Sequence, residues 1–299
     1  MRGIIPVMVL LRLSEILKNQ SYEGNMISLF DMISGTSTGG LIALALSCQD
    51  KLSLNDLANV YMTLGDEIFP ERPSGIYKIK LIAEDKYPPD GINHVLYTWF
   101  KDTLISEALV KTLVVSYDLT TGEEALFKSW EDTEYKFKAR EVGRATSAAP
   151  TYFPPLHLNG HMYADGAVVA NNPAIFALTE AKRLWPECSN FMILSLGTGF
   201  SPHIFQPEGA SGLVQWIEHI VPMYSTSQRR LISYLLERER GVSYVRIDSA
   251  LNPPISMDDH TKESMNKMRD FGIKLSEKFD NTLNLFCKYL LNGGKYYAS

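Results

Sequence analysis

The stretch Asp31-Met32-Ile33-Ser34-Gly35-Thr36-Ser37-Thr38-Gly39-Gly40 joins a short apolar run to an apolar helical pattern that reaches Ser47. It holds Gly-x-Ser-x-Gly where a strand gives way to a helix, the sequence form of a nucleophile elbow. So sharp a turn brings backbone close to positions 35 and 39, and side chains at Gly35 and Gly39 are expected to collide with it. Ser37 then projects from the turn, with the Thr38 amide and the start of the helix dipole facing any developing negative charge. A glycine- and serine-rich connection without catalytic role, or a phosphate-binding loop, has the same local form. These readings stay open on this stretch alone.

Outward from the turn, element types alternate. Apolar spacing predicts a helix over 4–18, a strand near Phe30 to Ile33, a helix from Thr38 to Ser47 and a short helix over 53–64. Phe69 to Asp90 carries Pro70, Pro73, Pro88, Pro89 and Gly75 without a period and reads as a surface excursion. A helical stretch over 92–108 follows, and then Leu113 to Tyr117 and Ala125 to Ser129 bracket Thr120-Thr121-Gly122-Glu123 as a hairpin. Asn171-Asn172-Pro173 supplies a cap and first-turn proline for a helix to about Leu184. Met192 to Leu196 reads as a buried strand, and helices near 212–239 and 261–290 flank a strand at Val242 to Ile247. The pattern is that of an α/β protein. No linker divides it, so a single domain over 1–299 is expected, with a motif-bearing core of about 2–200 and helical packing over about 205–299.

The 299 residues carry a net charge of −5, with 45% hydrophobic and 21% charged side chains, as in an ordinary globular protein. A pI near 5.7 without a basic run argues against nucleic acid as a partner. Cys48, Cys188 and Cys287 are far apart and form no Cys-x-x-Cys, so neither a disulfide framework nor a zinc site is indicated, and a reducing compartment is the simpler reading. The longest apolar run, Ile4 to Leu11, is cut by Arg12 far short of the roughly 20 residues that span a bilayer. No transmembrane helix is expected. Leu10, Leu13 and Leu17 continue the run at helical spacing, which makes it a core helix.

A serine nucleophile needs a base. The histidines stand at 94, 157, 161, 203, 219 and 260, and none carries a local signature; an α/β-hydrolase also lays down several strands before its elbow, whereas few residues precede Gly35 here. The other compact polar group is Tyr163-Ala164-Asp165-Gly166-Ala167, where Asp165 ends a short apolar strand beside a glycine that can let the chain turn. Its carboxylate could take the proton of Ser37, although Asp-Gly is equally a common turn dipeptide.

Four ordered blocks carry a resemblance. Gly35 to Gly40, Arg144-Ala145-Thr146-Ser147-Ala148-Ala149-Pro150-Thr151-Tyr152-Phe153, Asp165-Gly166-Ala167 with Asn171-Asn172-Pro173, and Ser195-Leu196-Gly197-Thr198-Gly199 resemble the motifs of the patatin-like phospholipases over about residues 2–200. The resemblance implies a three-layer α/β/α fold and a serine lipid acyl hydrolase working without metal or cofactor. It matches Ser37 to the nucleophile and Asp165 to the base of a Ser-Asp dyad, with Gly35, Gly39 and Gly166 supporting the motifs. The family's glycine-rich loop after its first strand supplies oxyanion-binding amides, and this sequence opens at Met1-Arg2-Gly3 with only the end of it. The first strand and that loop are therefore expected to be missing, through truncation or degeneration, and the retained dyad favours truncation. Gly3 and Thr38 are the remaining oxyanion-hole candidates.

The implied partner is a lipid or phospholipid substrate, met through transient peripheral membrane contact; no activator can be named. A cytoplasmic or membrane-peripheral location is expected, with delivery as a secreted effector compatible. The alternatives are a catalytically impaired member that binds lipid or protein, and a triad esterase using a late histidine such as His260. Tyr97, Trp99 and Phe100 compete as acyl-trough rim or core, and Trp216, Ile217, Ile220, Val221, Met223 and Tyr224 as bilayer contact or core.

Overall fold

A computed structural model describes residues 1–49, 52–70, 85–200 and 213–293, with only the backbone of 213–222. In chain order the elements are α1 (Ile4–Asn19), β1 (Met32–Thr36), α2 (Thr38–Ser47), α3 (Leu54–Thr63), α4 (Gly65–Ile68), α5 (Asp90–Phe100), β2 (Lys111–Asp118), β3 (Glu123–Lys128) and α6 (Ala139–Thr146). Then come β4 (Leu156–Leu158), β5 (His161–Asp165), α7 (Ala167–Ala170), α8 (Ala174–Leu184), β6 (Phe191–Leu196), α9 (Leu213–Leu236), β7 (Val242–Ile247), α10 (Lys262–Lys278) and α11 (Asp280–Leu291).

The sheet around β2 explains where the chemistry lies. β3 runs antiparallel along one edge of β2 from Leu113 to Asp118. The other edge is shared end to end: β1 lies parallel to residues 111–115, finishing at Thr36 opposite Val115, and β5 lies antiparallel to residues 116–118, finishing at Asp165 opposite Ser116. The two strands approach each other head-on, so the residues that leave them are neighbours. β4 pairs with β5 as a hairpin through Asn159-Gly160. Helices α2, α6 and α7 pack against β2, and α8 against β1, consistent with the α/β/α arrangement.

β6 and β7 pair in parallel as a second, two-stranded sheet. β6 is mostly half-buried, less enclosed than the sequence pattern predicts. A small core joins α8 and α9 to these strands through Ala174, Leu178, Ile232 and Leu236, with Phe191, Ile193 and Val242 packed around them.

α1 is buried on almost every side over its first two turns, because α3, α10 and α11 all pack on it. A methyl at Gly272 of α10 would lie 2.9 Å from the Ile5 carbonyl oxygen, so the helices cross at backbone distance. The helix predicted over 261–290 breaks at Phe279, which has φ −102° and serves as the end of α10 and the start of α11. No glycine or proline marks this break; the change of direction lets both helices reach α1, and Arg12 holds Asp280 at 2.7 Å.

Three further expectations change. The predicted helix over 92–108 stops at Phe100, where Lys101 takes a left-handed φ of 44°. Phe100 is core and Tyr97 is exposed beneath the Arg140 guanidinium. The excursion from Phe69 to Asp90 is anchored at both ends: Phe69 and Tyr87 are buried, ring to ring at 5.0 Å, and pack with Phe153. Its central residues, 71–84, lie outside the described residues, as do the side chains of Trp216, Ile217, Ile220 and Val221.

Candidate active site

β1 delivers the chain into the elbow. Ser37 has φ 55° and ψ −128°, outside the broad regions open to a residue with a side chain, at a cost on the order of 1–3 kcal/mol. The turn is held from several sides. The Ser37 amide donates to Thr146 Oγ1 at 2.8 Å, and the Thr146 hydroxyl donates to the Val115 carbonyl at 2.5 Å, on the residue where β1 stops. The Thr36 hydroxyl donates to the Ala170 carbonyl at 2.8 Å.

The glycines divide. A Cβ at Gly35 would lie 2.1 Å from the Gly39 carbonyl oxygen, so the turn cannot close with a side chain there. Gly39, expected to be equally confined, faces open space with nothing within 4 Å of its Cβ position. Gly40, not singled out in the sequence, is the tighter of that pair: its Cβ would meet Thr146 Cγ2 at 2.8 Å. Gly166 adopts an ordinary helical φ of −62°, so it is not needed for the turn; it is needed for space, since a Cβ would sit 2.2 Å from the Val115 carbonyl oxygen.

Ser37 and Asp165 meet. The Ser37 hydroxyl donates to Asp165 Oδ2 at 2.6 Å, and the Ala167 amide donates to Oδ1 at 2.8 Å. Asp165 is 2% exposed. Burial pushes its carboxyl up to about 6, while the hydrogen bonds from Ser37 and Ala167 pull the other way. The segment after it is tied down by Asn172, whose Oδ1 accepts from the Ala174 amide at the start of α8 and whose Nδ2 donates to the Tyr244 hydroxyl on β7. The sequence identified the cap but not this cross-link.

Thr38 opens α2, so its amide has no acceptor within the helix. Gly3 lies beside it, for a Cβ on Gly3 would fall 2.3 Å from Thr38 Oγ1 and 2.4 Å from the Tyr61 ring. The N-termini of α1 and α2 thus come together. Thr38 Oγ1 and the Tyr61 hydroxyl are 2.6 Å apart, and burial pushes the Tyr61 phenol up to about 12. Thr146 and Tyr61 carried no individual signal. Thr146 lay inside a recognised block, whereas nothing in the spacing of α3 marks Tyr61.

Among the described residues no histidine hydrogen-bonds Ser37 or Asp165. His260 stacks on Phe69 and contacts the Asp258 carbonyl and Asp66, and His161 contacts Asp118 at 2.6 Å. His203 and the side chain of His219 lie outside the described residues.

The family profile described as patatin-like phospholipase matches residues 1–178. The chain is 27% identical to Patatin-like protein 2 of Arabidopsis thaliana, over 95% of this chain and 82% of that protein. It is 27% identical to a cGAMP-activated phospholipase of Pseudomonas aeruginosa (strain BWHPSA011 / Pa011), over 86% of this chain and 78% of that protein. It is 28% identical to "Probable inactive patatin-3-Kuras 1" of Solanum tuberosum, over 79% of this chain and 71% of that protein. With the profile covering more than half of the sequence, the chain belongs to the patatin-like phospholipase family, a family of lipid acyl hydrolases.

Proposed function

We infer that the protein is a phospholipase A-type hydrolase that cleaves fatty acyl esters through an acyl-enzyme on Ser37, with Asp165 as the base. The observation carrying this reading is the 2.6 Å contact between the Ser37 hydroxyl and a buried Asp165 carboxylate. The Ser37 oxygen attacks the ester carbonyl carbon as its proton passes to Asp165. The tetrahedral intermediate collapses, and the leaving alkoxide of the lipid takes that proton. Water then gives a proton to Asp165 and attacks the acyl-enzyme; the fatty acid leaves and the proton returns to Ser37.

An ordinary carboxylate, pKa about 3.9, is a poor base for a serine. Burial answers part of this, because a group titrating near 6 is more basic yet still ionised at neutral pH. The rest falls to oxyanion stabilisation by the Thr38 amide and Gly3 at the joined helix N-termini.

The test is fatty acid release from phospholipid vesicles and from a soluble short-chain aryl ester by the wild type, Ser37→Ala and Asp165→Asn. Both variants are expected to be inactive while folded. Wild-type turnover in folded Asp165→Asn would overturn the dyad. A second reading, a lipid- or protein-binding member with impaired chemistry, is motivated by the name of the potato relative. It predicts that the wild type binds lipid but releases no acid, and that Ser37→Ala changes nothing.

A further inference from the structure

Among the described residues, the large apolar side chains left exposed include Met223, Tyr224, Leu231, Tyr234 and Leu235, all on α9, while the others are scattered over different elements. At about 100° per residue these five fall on one face about 120° wide. The opposite face is core, with Ile232 and Leu236 packed on α8, β6 and β7. The exposed stripe lies along a single helix.

Arginine outnumbers glutamate in this part of the chain. Residues 223–240 hold four arginines, Arg229, Arg230, Arg238 and Arg240, against two glutamates, in a chain whose net charge is −5. Glu239 is engaged by Lys182 at 2.6 Å, and Glu237 lies 3.8 Å from Arg238. Arg230 borders the stripe and is exposed. The Arg238 guanidinium lies 3.9 Å over the Tyr234 ring, an apolar body with a cationic cover. Arg229 is turned away onto Phe200.

The same helix is fastened to the catalytic strand's continuation. The Tyr224 hydroxyl donates to the Val168 carbonyl at 2.6 Å and Gln228 Nε2 to the Val169 carbonyl at 2.8 Å, three and four residues past Asp165. Tyr224, a member of the stripe, therefore touches the segment that follows the base.

We propose that this face of α9 docks on an anionic phospholipid bilayer and seats the protein on the surface that contains its substrate. The proposal rests on the lipid hydrolase reading for its purpose but stands on its own geometry. Leucine and tyrosine enter the headgroup region, and Arg230 and Arg238 meet lipid phosphates at its rim. The occupant is set by charge complementarity between the arginines at the stripe and an anionic sheet.

Flotation with vesicles of phosphatidylcholine alone, and of phosphatidylcholine with phosphatidylglycerol, tests it. The wild type is expected to float with the anionic vesicles and to release from them as salt rises. The pair Leu231→Glu with Leu235→Glu should bind at least about tenfold more weakly, and Arg230→Ala should lose about fivefold on anionic vesicles only. Arg230→Lys should restore that loss. All variants should hydrolyse a soluble short-chain ester at the wild-type rate, which also shows that they are folded. The proposal is overturned if the leucine pair leaves vesicle binding unchanged, or if the wild type binds neither vesicle. It is equally overturned if light scattering shows a dimer that the leucine pair dissolves, which would assign the face to a second copy. Binding is read by flotation, so a wild type that floats but cleaves no ester defeats the hydrolase reading and leaves the docking face standing.

Discussion

The elbow and the outer face of α9 are opposites in construction. Ser37, Asp165 and Thr146 come from separate segments, converge at the point on β2 where β1 and β5 meet, and are held by buried hydrogen bonds. The face of α9 comes from one segment, is solvent-facing, and needs only helical periodicity to exist. Buried chemistry that depends on convergence fails when one atom moves, whereas an exposed stripe degrades gradually as its residues are changed. The contrast predicts which substitutions are severe, and for which readout.

The largest effect belongs to the dyad. Ser37→Ala should lower ester turnover by about 10⁴-fold or more with no loss of fold, and Asp165→Asn should do nearly the same. Steady-state rates on a soluble ester read both, and a residual rate close to wild type in either would break the comparison at its strongest point.

Next come the glycines that only close packing requires. Gly35→Ala places a methyl where the Gly39 carbonyl stands, and a destabilisation of about 3 kcal/mol or more is expected from overpacking at a strained turn. Gly39→Ala, facing open space, should leave stability within about 1 kcal/mol of wild type. Denaturant unfolding of the two variants reads the difference, and equal midpoints would refute the crowding asymmetry.

Asp165 also links activity and stability to pH in opposite directions. Its folded pKa, about 6, lies above the ordinary carboxylate value, so the native state holds the proton more tightly than the unfolded chain. The group's contribution to stability is therefore greatest at low pH and falls as pH rises from about 4 to about 6. Activity needs the carboxylate and should drop about tenfold per pH unit below that same pKa. Asp165→Asn, neutral throughout, should be more stable than wild type at pH 7 by on the order of 1–3 kcal/mol. A lower melting temperature for folded Asp165→Asn at pH 7 would contradict the buried, charge-opposing environment.

Thr146→Val should cost on the order of 1–3 kcal/mol, because it strips the Ser37 amide and the Val115 carbonyl of a buried partner. Its kcat should fall further than its KM changes, since the hydroxyl orients the elbow rather than binding lipid. At the mild end, Leu231→Glu with Leu235→Glu should shift stability by no more than about 0.5 kcal/mol, the two positions being exposed. A large loss of stability there would show that the face is packed against something in solution.

The sequence by itself determined the order of elements, because hydrophobic periodicity is a local property: α1, α2, the β2–β3 hairpin, α8 and β7 fall where the spacing places them. It also singled out Ser37 and Asp165 through short blocks that a sharp turn and a strand end require. It misassigned Gly39 and Gly166, since sequence shows that a residue is glycine but not whether the need is for conformation or for space. Tyr61 and the anchored ends Phe69 and Tyr87 were hidden for the same reason: their partners, Thr38, Phe153 and Asp258, are distant in the chain. Only the tertiary structure decided that β1 and β5 share one edge of β2 and that β6 and β7 form a parallel sheet of their own. It decided also that burial lifts the Asp165 carboxyl. Strand neighbours, close approach and desolvation depend on what the rest of the chain brings alongside a residue, and no local spacing encodes that.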